Sequence, residues 1–269
     1  MSNSSVSPRR LLPIFLALAV LVVGLFAAFL LLNTNALDGL KRRTSPAEVM
    51  RFDASEPCVC ALSSGRLAVA DPTGLRLLDA DGAVSAECAG GLSEPAVLTA
   101  GRFALAYDLG GTDALLLRDD GKTCLRLRPE TPLYDAALSE NGSAALLREG
   151  DGCLCVLEVY RKGGDLAYRR KAKTQYLTAC ALSADGTLLA AAAAGASDAA
   201  FQSAVELYRT GTDEVVFRLP LGQEVLCDLA FLSDGTLCAV GERTLKFQKQ
   251  SSVSRQQFTV TAVRVVGVL

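Results

Sequence analysis

The chain contains no histidine and no tryptophan. Without histidine there is no Ser-His or Cys-His dyad and no imidazole to hold a metal ion. A large share of hydrolytic and metal chemistry is thereby excluded. Aromatic residues make up only 6% of the chain, and methionine occurs twice. An excess of one charge sign is also lacking. The 27 basic residues stand against 29 acidic ones, a formal net charge of -2. That balance offers no electrostatic footprint for nucleic acid.

Cysteine is plentiful by contrast, with nine residues, an odd number that cannot pair completely within one chain. They are dispersed. Cys58/Cys60 and Cys153/Cys155 form Cys-x-Cys pairs, which place both sulfurs on one face of a strand, whereas zinc sites more often use Cys-x-x-Cys. The expectation is that cysteine serves as a small buried hydrophobe, with an isolated disulfide or a metal site as the alternatives. Half of the 269 residues are hydrophobic, enough for one large domain or two small ones.

Leu11–Leu32, LLPIFLALAVLVVGLFAAFLLL, is an uncharged apolar run of 22 residues. As a helix it spans about 33 Å, against roughly 30 Å for a bilayer's hydrocarbon core. A cleavable signal peptide has a shorter apolar region and a small-x-small cleavage site, so an uncleaved transmembrane anchor is expected. Arg9 and Arg10 flank it directly on one side, and Lys41, Arg42 and Arg43 follow on the other. With the shorter tail inside, the expected orientation is a cytoplasmic N-terminus and an extracytoplasmic large domain. The organisation read from the sequence is a tail (1–10), a transmembrane helix (11–32), a juxtamembrane linker (33–50) and a repeat domain (51–269).

Within that domain one pattern returns five times: ALSSGRLAVA (Ala61–Ala70), VLTAGRFALAY (Val97–Tyr107), ALSENGSAALL (Ala137–Leu147), ALSADGTLLAAA (Ala181–Ala192) and FLSDGTLCAVG (Phe231–Gly241). The turn glycines are Gly65, Gly101, Gly142, Gly186 and Gly235, spaced by 36, 41, 44 and 49 residues. A period of about 40–45 residues is that of a four-stranded propeller blade. Asn-Gly and Asp-Gly between apolar runs are hairpin signals, and second hairpins follow at LRLLDADGAV (Leu75–Val84), ALLLRDDGKTCLRL (Ala114–Leu127) and VELYRTGTDEVVFRL (Val205–Leu219). The run after each first turn reads as a strand covered on both faces, placed near the propeller axis. The alanine-rich Leu188–Ala196 has helical propensity, but its place in the repeat makes it a strand. The fold class expected is all-β, a β-propeller of four-stranded blades with about five recognisable repeats after one transmembrane helix. The tail QFTVTAVRVVGVL (Gln257–Leu269) is expected to close the ring against Cys58–Ala61, the alternative being a truncated or divergent relative of a larger propeller.

The Leu-Ser-x-Asp-Gly-x-Leu-x-Ala unit resembles the WD40-like repeats of bacterial propellers of the TolB type. It departs from true WD40 repeats, which carry Gly-His and Trp-Asp pairs. With the anchor and AYDLGGTDALLL at Ala106–Leu117, the chain resembles an uncharacterised family of bacterial single-pass membrane-anchored proteins with a WD40-like, TolB-like β-propeller domain. The resemblance spans roughly residues 10–250 and implies no activity.

No motif names a reaction. Propeller quinone dehydrogenases lean on tryptophan, which is missing. Asp79-Ala-Asp81-Gly82 begins like a calcium loop without its downstream glutamate and reads as an Asx turn. The basic stretch Tyr160–Lys173 reads as a hairpin with a solvated tip. Tyr107 and Asp108 of Tyr-Asp-x-Gly-Gly are the ligand-binding candidates, and a tight turn is the competing reading. No catalytic residue, metal ligand or cofactor is expected. The functional expectation is a non-enzymatic binding, scaffold or sensor protein of the cell membrane. Its partners are the lipid bilayer, through Leu11–Leu32, and a protein, peptide or glycan. The alternative is a hydrolase or lyase using carboxylates at a central channel.

Overall fold

The computed structural model of the chain describes residues 58–63, 65–122, 124–197, 200–242, 244–248 and 258–259. The expected anchor (11–32) and linker (33–50) lie outside the described residues. All described residues belong to the unit Phe52–Leu269.

The repeat becomes five four-stranded sheets, each running in chain order. Sheet 1 holds β1 (Val59–Ser63), β2 (Arg66–Asp71), β3 (Gly74–Leu78) and β4 (Val84–Ala89). Sheet 2 holds β5 (Pro95–Ala100), β6 (Phe103–Asp108), β7 (Ala114–Arg118) and β8 (Cys124–Leu127). Sheet 3 holds β9 (Leu133–Leu138), β10 (Ala144–Glu149), β11 (Cys155–Tyr160) and β12 (Leu166–Ala172). Sheet 4 holds β13 (Tyr176–Leu182), β14 (Leu188–Ser197), β15 (Ala200–Arg209) and β16 (Val215–Gly222). Sheet 5 holds β17 (Leu226–Phe231), β18 (Leu237–Gly241), β19 (Thr244–Gln248) and β20 (Phe258–Thr259). Every pairing within a sheet is antiparallel.

The first strands of successive sheets are neighbours: β1 lies by β5, β5 by β9, β9 by β13 and β13 by β17. The strand that follows each turn is therefore the second of its sheet, one place farther from the axis than the sequence suggests. Its two-faced burial is as expected. In β14, Leu188, Ala190 and Ala192 pack towards sheet 5, while Leu189, Ala191 and Ala193 pack towards sheet 3. In β6, Ala104 and Ala106 face sheet 1, and Phe103, Leu105 and Tyr107 face sheet 3. Alternation of side chains along a strand thus lets one segment serve two cores. Burial on both faces overrides the helical propensity of the alanines, because the strand pairs with β15 along its full length and with β13 over Leu189–Ala194, satisfying the backbone there while removing apolar surface from water. Truncating such a buried leucine to alanine costs about 2–5 kcal/mol.

Four apolar clusters fill the four gaps between successive sheets. Among the described residues no such cluster joins sheet 5 to sheet 1. The described part of the expected closing tail, Phe258–Thr259, pairs with β19 and so supplies the fourth strand of sheet 5, not a strand against β1. The rest of Gln257–Leu269 lies outside the described residues.

The repeated turn links first and second strands. In sheet 4, Ser183 N donates to Leu188 O (2.9 Å), Gly186 N to Ser183 O (2.8 Å) and Thr187 N to Asp185 Oδ1 (3.0 Å). Gly142 and Gly186 need positive φ, +86° and +70°, and both also face a neighbour. A Cβ on Gly142 would meet the Phe103 ring of sheet 2 at 2.6 Å, and one on Gly186 would meet Asn141 of sheet 3 at 2.5 Å. The glycine of the motif therefore serves the turn and the packing of one sheet's turn on the next.

Candidate functional site

Because each sheet is an up-and-down meander, its connections divide into two ends. The turns between first and second and between third and fourth strands lie at one end, here the turn end. The second-to-third connections and the passages to the next sheet lie at the other, the crossover end.

Tyr107 and Asp108 close β6 at the crossover end, and both are buried. Tyr107 belongs to the apolar cluster between sheets 2 and 3, and burial, followed by the Asp135 charge, raises its pKa. Asp108 Oδ1 accepts the N–H groups of Ser93 (2.6 Å) and Glu94 (2.7 Å), organising the passage from sheet 1 to sheet 2. The Gly-Gly that follows bridges to the next sheet: Gly110 N donates to Leu133 O, and Leu133 N to Gly111 O, both at 2.7 Å. The structure thus places this motif as the joint between sheets 2 and 3.

Just above that joint lies a bowl of about 760 Å³ at the crossover end of sheets 2, 3 and 4. Leu109 (43% exposed) and Tyr176 (56% exposed) stand on its wall, and Tyr134 lies in it. The Tyr134 hydroxyl is buried and has no hydrogen-bond partner. Burial, helped by the Cys155 thiol, raises its pKa. Glu94 and Glu149 also line the bowl, both exposed, and neither carboxylate takes part in an ion pair among the described residues. The bowl is therefore apolar at its wall and acidic at its margin. No sequence signal announced it, because its residues come from five separate connections of the chain.

Deeper, along the first strands, Asp135 of β9 accepts a hydrogen bond from Cys180 N of β13 (2.7 Å). Burial pushes the Asp135 carboxyl up to about 6 against that bond, with a further contribution from the charge of Asp228 on β17. The Cys180 thiol is raised well above its ordinary value by burial and then by Asp135. Among the described residues no cluster of three metal-ligating side chains occurs. Asp79, of the calcium-like Asp-Ala-Asp-Gly, accepts from Asp81 N and Ala83 N, both at 2.9 Å, which is an Asx turn.

The cysteines divide. Cys88 of β4 and Cys124 of β8 are joined as a disulfide between the outermost strands of sheets 1 and 2, so for these two the isolated disulfide replaces the expected packing role. Their separation of 36 residues equals that of Gly65 and Gly101, a coincidence of period that was the available signal. Of the free thiols, Cys155, Cys180 and Cys238 are buried, whereas Cys60 and Cys227 are exposed. Cys60 and Cys180 hold the same place in the repeat but differ in burial, because only Cys180 is enclosed by sheets on both sides. Burial, followed by the nearby Cys60 thiol, pushes Cys58 up to about 11.

A second internal repeat lies in the third strands, too short to stand out in the sequence. Glu-x-Tyr-Arg ends the third strand of sheet 3 (Glu158, Tyr160, Arg161) and of sheet 4 (Glu206, Tyr208, Arg209). In each, the tyrosine hydroxyl donates to the glutamate. Glu158 is also bound by the fully buried Arg148 (2.9 Å) and by Arg169 (2.7 Å). Glu206 is bound by Arg170 (3.4 Å) and Arg218 (3.6 Å), and the Arg170 guanidinium sits 4.4 Å over the Tyr208 ring. Burial alone would raise Glu158, but hydrogen bonds from Arg148 and Tyr160 hold its carboxyl below the usual range.

No curated protein matches the chain. Among solved structures it is similar in fold to the Dos1 propeller, with 9% identity, a TM-score of 0.54, and coverage of 77% of this chain and 59% of that one. It is likewise similar to hydrazine synthase of Kuenenia stuttgartiensis, with 16% identity, a TM-score of 0.52, and coverage of 77% and 60%. A third similar structure is KlHsv2 with loop 6CD replaced by a Gly-Ser linker, at 15% identity, a TM-score of 0.49, and coverage of 74% and 66%. The chain thus spans less than two thirds of the length of each, and at these identities the likeness is one of fold. Five antiparallel four-stranded sheets with adjacent first strands are a propeller-like arrangement, and a family model covers nearly all of it: residues 50–264 match, and the chain belongs to the family of unknown function DUF5711.

Proposed function

We propose that the protein is a membrane-anchored binding protein, a scaffold or sensor without catalytic activity, that takes its ligand in the bowl at the crossover end. The observation that carries this reading is the bowl's composition. Leu109 and Tyr176 expose apolar surface beside Glu94 and Glu149, whose charges have no ion-pair partner within the described residues. Unpaired charge beside exposed apolar surface fits a binding face better than an inert one. Of the ligands open to such a domain (protein, peptide or glycan), a peptide segment carrying apolar and cationic side chains complements it best.

The uncharged run Leu11–Leu32 supports a single-pass anchor, and the Cys88–Cys124 disulfide supports an extracytoplasmic domain, because disulfides persist in oxidising compartments. An impermeant maleimide tests the orientation on intact cells through the exposed Cys60 and Cys227. Labelling before lysis is expected, and labelling only after lysis overturns it. For the ligand, a photo-crosslinking residue at position 176 in native membranes should give a discrete adduct that the same residue at Val84, exposed on β4, does not. Identical products at both positions, or none at 176, would sink the bowl as the ligand face.

One observation favours the reading of a carboxylate-dependent hydrolase or lyase. Asp135, raised to about 6 and influenced by Asp228, has the character of an acid poised for proton transfer. Its hydrogen bond to Cys180 N commits it instead to joining sheets 3 and 4. The Asp135→Asn variant separates the two, since a binding protein keeps its ligand and an enzyme of this kind loses turnover.

A further inference from the structure

Ten of the twelve arginines among the described residues are in ion pairs. The two that are not, Arg161 and Arg209, hold equivalent places, directly after the Glu-x-Tyr of sheets 3 and 4. Both line a single groove of about 540 Å³ at the turn end, together with Lys162. The equivalence has a physical cause. Each arginine stands at the end of its third strand, past the part of the strand that is buried on both faces, where the third-to-fourth turn begins.

The acids nearby do not compensate these cations. Asp185 accepts from Ser183 Oγ (2.6 Å), Thr187 N (3.0 Å) and Thr187 Oγ1, and neither it nor Asp165 forms an ion pair with any of the three. The groove is shaped by two cross-sheet bonds: Asn141 Nδ2 donates to Asp185 O (2.5 Å), and Glu140 N to Ala184 O (3.1 Å). Thr210 also lines it. The Thr210 hydroxyl is buried with no partner, although its N–H is held by Thr187 O (2.9 Å). A buried hydroxyl without a partner is costly unless something completes it.

We infer that this groove is a binding site for a phosphate group, with Arg161 and Arg209 as its two guanidinium forks, Lys162 as a third charge and the Thr210 hydroxyl as a neutral donor. The three cations more than offset the charge of a dianionic oxyanion, and guanidinium forks match its paired oxygens. The site lies at the opposite strand end from the bowl, so it stands or falls independently of the proposed ligand face. The same chemistry is offered by a soluble phosphate compound and by a phospholipid headgroup.

The test uses the full chain in nanodiscs. In phosphatidylcholine discs, inorganic pyrophosphate is titrated at constant ionic strength against a sodium chloride control, and binding is read by calorimetry and by amide exchange over residues 159–165 and 208–212. Saturable binding is expected, weakened at least tenfold in the double variant Arg161→Gln, Arg209→Gln. It should be unchanged in Arg128→Gln, an exposed arginine on sheet 2's side of the molecule that is paired with Asp113. That result assigns the site to soluble phosphates. If pyrophosphate does not bind but phosphatidylglycerol discs protect the same amides in the native chain and not in the double variant, the site is assigned to a lipid headgroup. Heats equal to the chloride control with no protection by phosphatidylglycerol overturn the proposal, as does equal binding by the native chain and the double variant. Circular dichroism confirms that the variants, changed only at exposed positions, retain the fold.

Discussion

Sheets 1 and 2 and sheets 3 and 4 are two solutions to the same packing problem. Between sheets 1 and 2 the outer strands are closed by the Cys88–Cys124 disulfide. The turn-end arginines there are all paired: Asp119 binds Arg66 (3.1 Å) and Arg102 (2.8 Å), and Arg118 binds Asp120 (3.4 Å). Sheets 3 and 4 have no disulfide. Their third strands instead carry buried Glu-Tyr-Arg networks, and their turns leave Arg161, Lys162 and Arg209 without an ion pair among the described residues. The contrast teaches where this domain is structurally closed and where it is available. Charge satisfied within the fold is architecture, and charge left over in a groove is capacity for a ligand.

The largest break in that comparison comes from the buried network. Glu158→Gln leaves the fully buried Arg148 without its close counter-charge, since Glu130 is more distant at 3.6 Å and largely exposed. A loss of about 3–5 kcal/mol is expected in urea unfolding. The double change Arg148→Met, Glu158→Leu should recover most of it. Failure to recover would show that the network contributes more than mutual neutralisation.

The next effect is that of the disulfide. Cys88→Ala with Cys124→Ala releases a loop of 36 residues, for which the chain-entropy estimate is roughly 4 kcal/mol. Amide exchange should then rise first in β4 and β8, leaving sheets 3 and 4 protected. The denatured, unreduced protein should titrate seven thiols, those of the free cysteines. Nine would remove the covalent half of the comparison.

The smallest effect sharpens the join between the two regions, at Asp135. A carboxyl raised from 3.8 to about 6 in the fold favours the native state while protonated. That contribution is present below about pH 4 and is lost as pH rises through 6. Asp135→Asn keeps an acceptor for Cys180 N and has no charge to bury. It should raise stability at pH 8 by at most about 2 kcal/mol, after discounting for partial solvent access, and leave it nearly unchanged at pH 4. Equal effects at both pH values would refute the raised carboxyl.

Much of the fold was legible in residues 58–248, since a turn motif and an alternating apolar run are local properties. Leu188–Ala196 shows how far this reaches: the repeat identifies a strand where propensity favours a helix. The place of that strand within its sheet differs from the expected one, because nothing local distinguishes a first strand from a second when both are covered on two faces. The sites were hardly legible. Tyr107 and Asp108 drew notice as a compact polar motif, yet Asp108 serves the backbone of Ser93 and Glu94. The bowl and the groove are assembled from connections tens of residues apart.

By itself, then, the sequence determined an all-β chain of five repeats, each with a hairpin turn and a strand buried on both faces. Side-chain alternation and glycine's access to positive φ act over a few residues and need no tertiary context. Only the tertiary structure decided which cysteines pair, which arginines find a carboxylate, and why Asp135 holds its proton longer than an ordinary aspartate. Those properties depend on which turn meets which across a gap between sheets. Electrostatics and disulfide geometry respond to distances in space, and a separation of 36 or 45 residues along the chain becomes a contact only when the sheets are stacked.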